Sequence, residues 1–416
     1  MPSVEGLAPR RAALQMLDGV LRRGHTLEAA GARVRGLSSP DAGLALAIAG
    51  ETLRRIPDLD ALIDSATRQR LPYDSKARMV LRIALAQKVA LNTPEHALVS
   101  TALPLVDGGP RRLVHGVLGT LLRRGLSPIG APHLPEPVGQ RWTSAWSKEA
   151  VEAARLQIAS RPALDLTFAD DADAQSYAAE HGGVSLAPKH VRVRSSSVTE
   201  LSGYESGRWW VQDLGASLPA RLIPGDAAQV LDLCAAPGGK TMQLAAAGHK
   251  VTAVDTSESR LGRLRENLQR THLDATLVKA DALTWEPSDP FDSILLDAPC
   301  SATGTFRRHP EVLYRARPPI IAANSDLQAK LLDRAAQWLR PGGVLVYSVC
   351  SLEPEEGEEV VGPFLDRNGN VHIEVPSDLP DFVPVSAEGW IRTLPGLLES
   401  DGGLDGFFMA RLVRDR

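Results

Sequence analysis

The sequence predicts a Rossmann-like α/β domain in its C-terminal half, preceded by an all-α domain and a small α+β module. Three observations carry this. Residues 8–125 repeat the apolar spacing of amphipathic helices without strand-like alternation. Residues 127–139, SPIGAPHLPEPVG, hold four prolines and no periodicity. From residue 228 onward, short buried strands alternate with helices, the pattern of a parallel sheet covered by helices.

The expected domains are 1–126, all-α; 127–140, a Pro-rich linker; 141–225, a small α+β module; and 226–416, the Rossmann-like domain. In the first, RRAALQMLDGVLRRG places Ala13, Leu14, Leu17, Val20 and Leu21 on one face. LALAIAGETLRRI follows and is expected to end at Pro57, since proline lacks the N–H a helix interior needs. LDALIDSATRQR, KARMVLRIALAQKVALN, HALVSTALPLV and RRLVHGVLGTLLRRG complete a small bundle. In the second module, WSKEAVEAARLQIA reads as a helix, and ALDLTFA, HVRVRSS and RWWVQD as strands. In the third, QVLDLC, VTAVD, TLVKAD, DSILLDAPC and PGGVLVYSVC are successive strands. ESRLGRLRENLQRTH is a helix with Leu261, Leu264 and Leu268 on one face. SDLQAKLLDRAAQWLR is a helix opened by a Ser325–Gln328 capping box, and GFFMARLV a final edge strand.

With 416 residues, two or three domains are expected; 44% hydrophobic and 23% charged residues are ordinary for a globular protein. No apolar run has membrane-spanning length, and MPSVEGLAPRR lacks the apolar core of a signal peptide, so a cytoplasmic protein is expected. The net charge of −4 conceals an asymmetry. Through residue 126 there are 18 basic and 11 acidic residues, a net of +7; the remainder has 28 and 39, a net of −11. A basic module on an acidic body can hold a phosphate backbone, although solvated helix faces give the same count. The three cysteines, Cys234, Cys300 and Cys350, have no metal-site or disulfide-framework spacing, so no metal is expected.

In an open parallel sheet, ligands bind beyond the carboxyl ends of the strands. Cys234-Ala235-Ala236-Pro237-Gly238-Gly239-Lys240 closes the first such strand with a turn whose glycines allow close backbone approach. It is not GxGxxG. Gly239-Lys240-Thr241 resembles the end of a P-loop, but Cys234 stands where the required first glycine would be. Asp255 ends the second strand and suits ribose hydroxyls; Asp281 follows the third and suits an adenine amino group. Either could instead be a helix N-cap. Their occurrence at successive strand ends favours a nucleoside ligand.

The fourth strand delivers Asp297-Ala298-Pro299-Cys300 and the fifth Tyr347-Ser348-Val349-Cys350-Ser351. If these strands are neighbours, two thiols meet at the ligand edge. Cys234 fits a buried structural role; the other two do not. Carbon 5 of cytosine is a poor nucleophile. A thiolate that adds to carbon 6 makes carbon 5 enamine-like and able to attack a sulfonium methyl group. Asp297 is placed to hydrogen-bond the N3/N4 edge of the base. The residues alone do not decide which thiol attacks.

At these residues the chain resembles the bacterial ribosomal RNA small-subunit methyltransferase B family (also called Fmu or Sun), within the NOL1/NOP2/Sun group. The matching motifs are LDLCAAPGGKT (231–241), AVD ending at Asp255, ADA around Asp281, LLDAPCSATGTFRRHPE (295–311), LRPGGVLVYSVCSLEPEEGEEVV (339–361) and DGFFMARL (405–412). VQDLGAS (211–217) also matches, and the helical part is similar to a NusB-type RNA-binding domain. The resemblance implies a class I methyltransferase fold. It implies that S-adenosylmethionine is bound by Cys234–Lys240, Asp255, Asp281 and Asp297. It further implies Cys350 as nucleophile, Cys300 assisting product release, and a cytosine of 16S ribosomal RNA as target, either naked or in a partly assembled subunit. A monomer is the default. Arg307, Arg308 and His309 match a basic stretch suited to RNA phosphates. The family often has Gly at Ala302 and Thr at Val349, and Arg-Val-Asn where this chain has Arg192-Val193-Arg194.

A DNA cytosine methyltransferase would use Cys300 as nucleophile, but the second thiol and the helical domain disfavour it. An amino-group methyltransferase would carry an (Asn/Asp)-Pro-Pro-aromatic turn where Asp297-Ala298-Pro299-Cys300 stands. An RNA-binding assembly or antitermination factor, or an enzyme acting on another RNA, is the remaining alternative.

Overall fold

The structure is a computed structural model that describes residues 5–126, 130–159, 161–194, 198, 201–376 and 379–416. It divides into two compact units. One comprises residues up to Arg161 together with Phe306–Arg315; the other comprises Pro162–Thr305 and Ala316–Arg416. No helix among the described residues is long and apolar enough to cross a membrane.

The first unit is helical: α1 (Leu7–Leu21), α2 (Leu27–Ala32), α3 (Ser39–Ser65), α4 (Lys76–Leu91), α5 (Glu95–Ala102), α6 (Gly108–Arg124), α7 (Glu136–Ala145) and α8 (Lys148–Ala159). Thr26, Ser38 and Ser75 cap α2, α3 and α4, each accepting a backbone N–H from three residues on. The helical unit therefore runs past the expected boundary. α7 begins inside the Pro-rich stretch, where Pro137 suits a helix's first turn; residues 127–129 lie outside the described residues.

The expected break at Pro57 does not occur, and two predicted helices are one, α3. Pro57 has no N–H for the Leu53 carbonyl, four residues back. The Tyr314 hydroxyl donates to that carbonyl at 2.8 Å, filling the vacancy in the helix ladder. Part of the basic excess is likewise internal. Arg82 holds Asp60 through two bonds of 2.7 Å, and Arg78 joins Asp60 and Asp64. Arg54 and Arg55 pair with Glu51, so these four buried arginines do not face a polyanion.

The second unit contains two sheets. β1 (Leu164–Phe168) pairs antiparallel with β2 (His190–Val193) and β3 (Trp209–Val211), with α9 (Asp171–His181) between β1 and β2 in sequence. The end of the expected HVRVRSS strand, Ser195 and Ser196, lies outside the described residues. Arg192 is not available to RNA: it is buried and holds Asp165 at 2.7 and 2.8 Å. Burial alone would push the Asp165 carboxyl up, but Arg192 and His190 hold it well below the usual range.

Then follow α10 (Leu214–Arg221), β4 (Gln229–Leu233), α11 (Gly239–Ala246), β5 (Lys250–Asp255), α12 (Glu258–Thr271), β6 (Thr276–Lys279) and β7 (Phe291–Asp297). α13 (Val312–Arg315) belongs to the helical unit. α14 (Pro318–Gln337), β8 (Leu339–Val349), α15 (Glu358–Arg367), β9 (Val371–Ile373), β10 (Ile391–Thr393) and β11 (Phe407–Arg414) complete the chain. The large sheet has the order β10-β11-β8-β7-β4-β5-β6, with β9 also on β11. β4 to β8 are mutually parallel, whereas β11 runs antiparallel to β8.

Alternation along the strands fills both faces, as two-sided burial requires. Leu231, Leu233, Ile294 and Leu296 meet Leu331, Leu332 and Phe364 on one side. Val230, Leu295 and Val346 meet Leu218 and Leu244 on the other. β11 is not an edge strand, because β10 and β9 cover its outer side. α14 also starts earlier than expected: Pro318 opens it, and Ser325 and Gln328 lie in its interior rather than forming a capping box.

Removing the Tyr314 hydroxyl leaves the Leu53 carbonyl without its donor. Tyr314→Phe is expected to destabilise the protein by about 1–3 kcal/mol. Urea unfolding followed by circular dichroism measures it, and an unchanged midpoint would show that the hydroxyl does not support the helix.

Candidate active site

Strand order reverses at β4: the chain moves to β5 and β6 on one side and to β7 and β8 on the other. A crevice beyond the carboxyl ends at such a switch point is where open α/β sheets bind ligands. The predicted site residues stand there. The turn after β4 runs through Cys234 (φ 60°) to Gly238 (φ 107°), where any Cβ would lie 2.1 Å from Leu264 Cδ1. At that φ any other residue is strained, which favours glycine at 238. Burial pushes the Cys234 thiol up to about 12, which fits an inert structural cysteine.

Asp255 ends β5 with its carboxylate nearly sealed. Its oxygens accept the N–H groups of Ala236 (3.2 Å) and Ser257 (2.9 Å), and Arg260 lies 3.4 Å away. It thus staples the glycine turn to β5. Asp281 is exposed and accepts the Leu283 N–H at 2.9 Å, closing a turn after β6 rather than capping a helix. The arrangement suits a nucleoside: a turn with two adjacent glycines at the switch point, flanked by acceptor carboxylates at the two following strand ends.

On the other side of the switch, β7 and β8 pair in register, Asp297 opposite Ser348. This brings Cys300 Sγ to 3.5 Å from Cys350 Sγ. The hydrogen bond to Cys350 and burial raise the Cys300 thiol well above its ordinary range. Asp297 accepts from Ser348 Oγ at 3.0 Å and from Lys240 Nζ at 2.8 Å. Lys240, at the end of the glycine turn, thus lies against Asp297. Burial opposes its ammonium, yet Asp297, Cys350 and Asp232 outweigh burial and its pKa is raised. Asp232 is fully buried on β4; burial pushes its carboxyl up to about 7 despite a hydrogen bond from Thr241.

Several supports were not recognised in the sequence. Gln328 of α14 donates to the Pro299 carbonyl at 2.7 Å and holds the turn that carries Cys300. Gly304 donates to the Cys350 carbonyl at 3.0 Å, and its missing Cβ admits the Gly406 backbone. Ala302 has φ 58°, a left-handed conformation that explains why glycine suits this position. The basic stretch departs from expectation. Arg307 is 2% exposed and Arg308 half-buried, both within the helical unit; His309 alone of the three is open to solvent. Phe306 anchors this segment on Trp142, with ring centroids 5.4 Å apart. Glu311 accepts the Leu27 N–H at 3.0 Å. Burial therefore takes Arg307 away from any phosphate, while Arg308 and His309 keep exposed surface.

Fold and site together define a methyltransferase of the Rossmann-like class. Residues 219–413 match the family described as 16S rRNA methyltransferase RsmB/F, and residues 7–123 match the NusB family. The chain is 33% identical to the ribosomal RNA small subunit methyltransferase B of Erwinia tasmaniensis, with 97% of each chain covered. It is 34% identical to that of Xylella fastidiosa, with 99% of each covered. Among solved structures it is similar to PH0851 (TM-score 0.74, 21% identity, 100% of this chain and 99% of the other). It is also similar to a methyltransferase homologue from Pyrococcus horikoshii (TM-score 0.56, 28% identity, 71% and 98%). The chain belongs to the RsmB/F family of 16S rRNA methyltransferases and carries a NusB-family domain. It is an RNA methyltransferase with S-adenosylmethionine as cofactor.

The raised Asp232 carboxyl predicts a pH signature. In the unfolded chain an aspartate titrates near about 3.9. Folded Asp232 holds its proton to about 7. Its contribution is therefore intact below about pH 4 and is lost as pH rises to about 7. Asp232→Asn is expected to gain stability over the natural protein across that window and to hold a constant advantage above it. Denaturation midpoints at pH 4, 5.5, 7 and 8 test this; a pH-independent difference would contradict it.

Proposed function

We propose that the protein methylates carbon 5 of a cytosine in 16S ribosomal RNA, with Cys350 as covalent nucleophile. The observation that carries this reading is the pair of sulfur atoms 3.5 Å apart, beside the Lys240–Asp297 ion pair, at the ends of two adjacent parallel strands. A single structural cysteine would not need a second thiol in contact. The Cys350 sulfur adds to carbon 6 of the flipped base, and the charge on that sulfur is attracted by the buried Lys240 ammonium. Asp297 faces the N3/N4 edge, accepting from the exocyclic amine while Lys240 and Ser348 hold its orientation. S-adenosylmethionine supplies the methyl group that carbon 5 acquires. In the last step the carbon-5 proton passes to the Cys300 sulfur, the double bond to carbon 6 reforms and the Cys350 sulfur is expelled. Cys300, 3.5 Å from that sulfur, gives up its own proton to it as it accepts the one from carbon 5, so both thiols end protonated and the proton Cys350 shed on attack is the one released overall.

Cys234–Lys240, Asp255 and Asp281 hold the cofactor in this reading. Arg260, half-exposed, pairs with the Asp255 carboxylate beside this turn. On the helical unit, a cavity of about 560 Å³ with Arg22, Arg23, Arg33 and Lys76 on its rim offers cations for RNA phosphates, although Asp18 and Asp74 share the first two.

Labelled methyl transfer to unmodified 16S RNA tests the activity, and bisulfite sequencing of the product reads the position. Cys350→Ala is expected to lower turnover by about 10³-fold or more while S-adenosylmethionine binding persists. Retained turnover would reject the assignment. Cys300→Ser is expected to accumulate a covalent protein–RNA adduct that survives denaturing electrophoresis. Accumulation with Cys350→Ser instead would reverse the two roles.

A further inference from the structure

The ladder that aligns β7 with β8 stops short of both thiols. Its last connection is the Ala298 N–H to the Ser348 carbonyl, at 2.9 Å. Beyond it, Cys300 and Cys350 sit on irregular turns, yet their sulfur atoms must keep a separation at which one can attack while the other protonates. One side chain bridges both turns behind the sulfurs. Glu356, fully buried, follows β8 in a short helical turn. Its Oε1 accepts the Ser301 N–H at 2.8 Å and the Asn324 side-chain amide at 2.9 Å. Its Oε2 accepts the hydroxyls of Ser301 and Ser351. Ser301 and Ser351 are the residues immediately after Cys300 and Cys350, and their hydroxyls lie 3.2 Å apart.

A carboxylate is an acceptor only, with about four lone-pair sites. Here four donors fill them, two from the Cys300 turn, one from the Cys350 turn and one from α14. The carboxylate is itself held. Tyr347 of β8 donates to the Glu356 carbonyl at 2.7 Å, and Arg392 donates to the Ser351 carbonyl. Burying a carboxylate is costly unless such donors compensate it. A mere space-filler here would be apolar, so the charge is retained for what it gathers. It is sealed from solvent and hydrogen-bonds neither sulfur; beyond its charge, which helps raise the Cys300 thiol, it acts on the pair through the two serines.

We propose that Glu356 is a positioning residue that sets the distance and orientation of the Cys300–Cys350 pair. This rests on the reading of those thiols as the reacting pair, but its test does not. Diamide takes two electrons and two protons from a pair of thiols, leaving a disulfide and the reduced hydrazine. The rate of Cys300–Cys350 disulfide formation in the full-length protein therefore reports their alignment without RNA or methyl donor. Glu356→Gln puts an N–H₂ among donors and is expected to slow this oxidation at least tenfold. kcat should fall by a similar factor, with KM for RNA and affinity for S-adenosylmethionine within twofold of the natural protein. Ser351→Ala keeps the carboxylate and releases only the Cys350 turn; it is expected to slow oxidation at least threefold. It also keeps the test open should Glu356→Gln not fold. Cys300→Ser, which forms no such disulfide, is the control. Natural oxidation rates in whichever of the two variants fold would overturn the inference. Slowed oxidation together with full turnover by Cys350→Ala would leave the clamp standing and refute the nucleophile assignment instead.

Discussion

Everything at the site depends on the parallel register between β7 and β8. Asp297 opposite Ser348 is a backbone constraint, set by ladder hydrogen bonds and by the apolar alternation of Ile294, Leu296, Leu345 and Tyr347 on one face. A slip of one residue would turn that apolar set to the opposite face and carry one sulfur out of the crevice. The same register brings Ser348 onto Asp297, which orients the carboxylate paired with Lys240. Chemistry and core packing therefore share one alignment, and neither can change alone.

Buried carboxylates recur as organisers around this alignment. Asp255 gathers two backbone N–H groups at the glycine turn, Glu356 gathers both thiol turns, and Asp165 gathers Arg192 and the Leu214 N–H in the small sheet. In each, an acceptor with several lone pairs ties irregular segments that no ladder reaches. Regular structure stops where the ligand must bind, so side-chain acceptors take over the work of backbone pairing. Asp232 differs: with one oxygen bonded to Thr241 and burial dominating, it favours the protonated form.

The helical unit follows the same economy of polar groups. Pro57 deprives the Leu53 carbonyl of its helical donor, and Tyr314, from a segment more than 250 residues away, replaces it. Phe306 and Glu311 of that segment pack on Trp142 and accept the Leu27 N–H. Within the basic run of that segment, Arg307 is buried with them. Arg78 and Arg82 show the same conversion of charge into internal structure.

Much was legible in the sequence because it is local. The strands of the large sheet, the helix of Leu261, Leu264 and Leu268, and the glycine turn follow from periodicity and from backbone conformations only glycine tolerates. The same local motifs place Asp297, Cys300 and Cys350 at strand ends. What the sequence could not express were partnerships between distant residues. Pro57 reads as a helix end until a tyrosine hydroxyl is brought to it. Ser325 and Gln328 read as a cap until Pro318 begins the helix earlier and Gln328 turns to the Pro299 carbonyl. β11 reads as an edge until β10 and β9 cover it. Arg307 reads as a phosphate ligand until its segment is buried. By itself the sequence determined which elements form and which reactive groups end them, since propensity and apolar period act over a few neighbouring residues. Only the tertiary structure decided which donor meets which acceptor, because a buried polar group takes its partner from whatever the folded chain brings within about 3 Å of it.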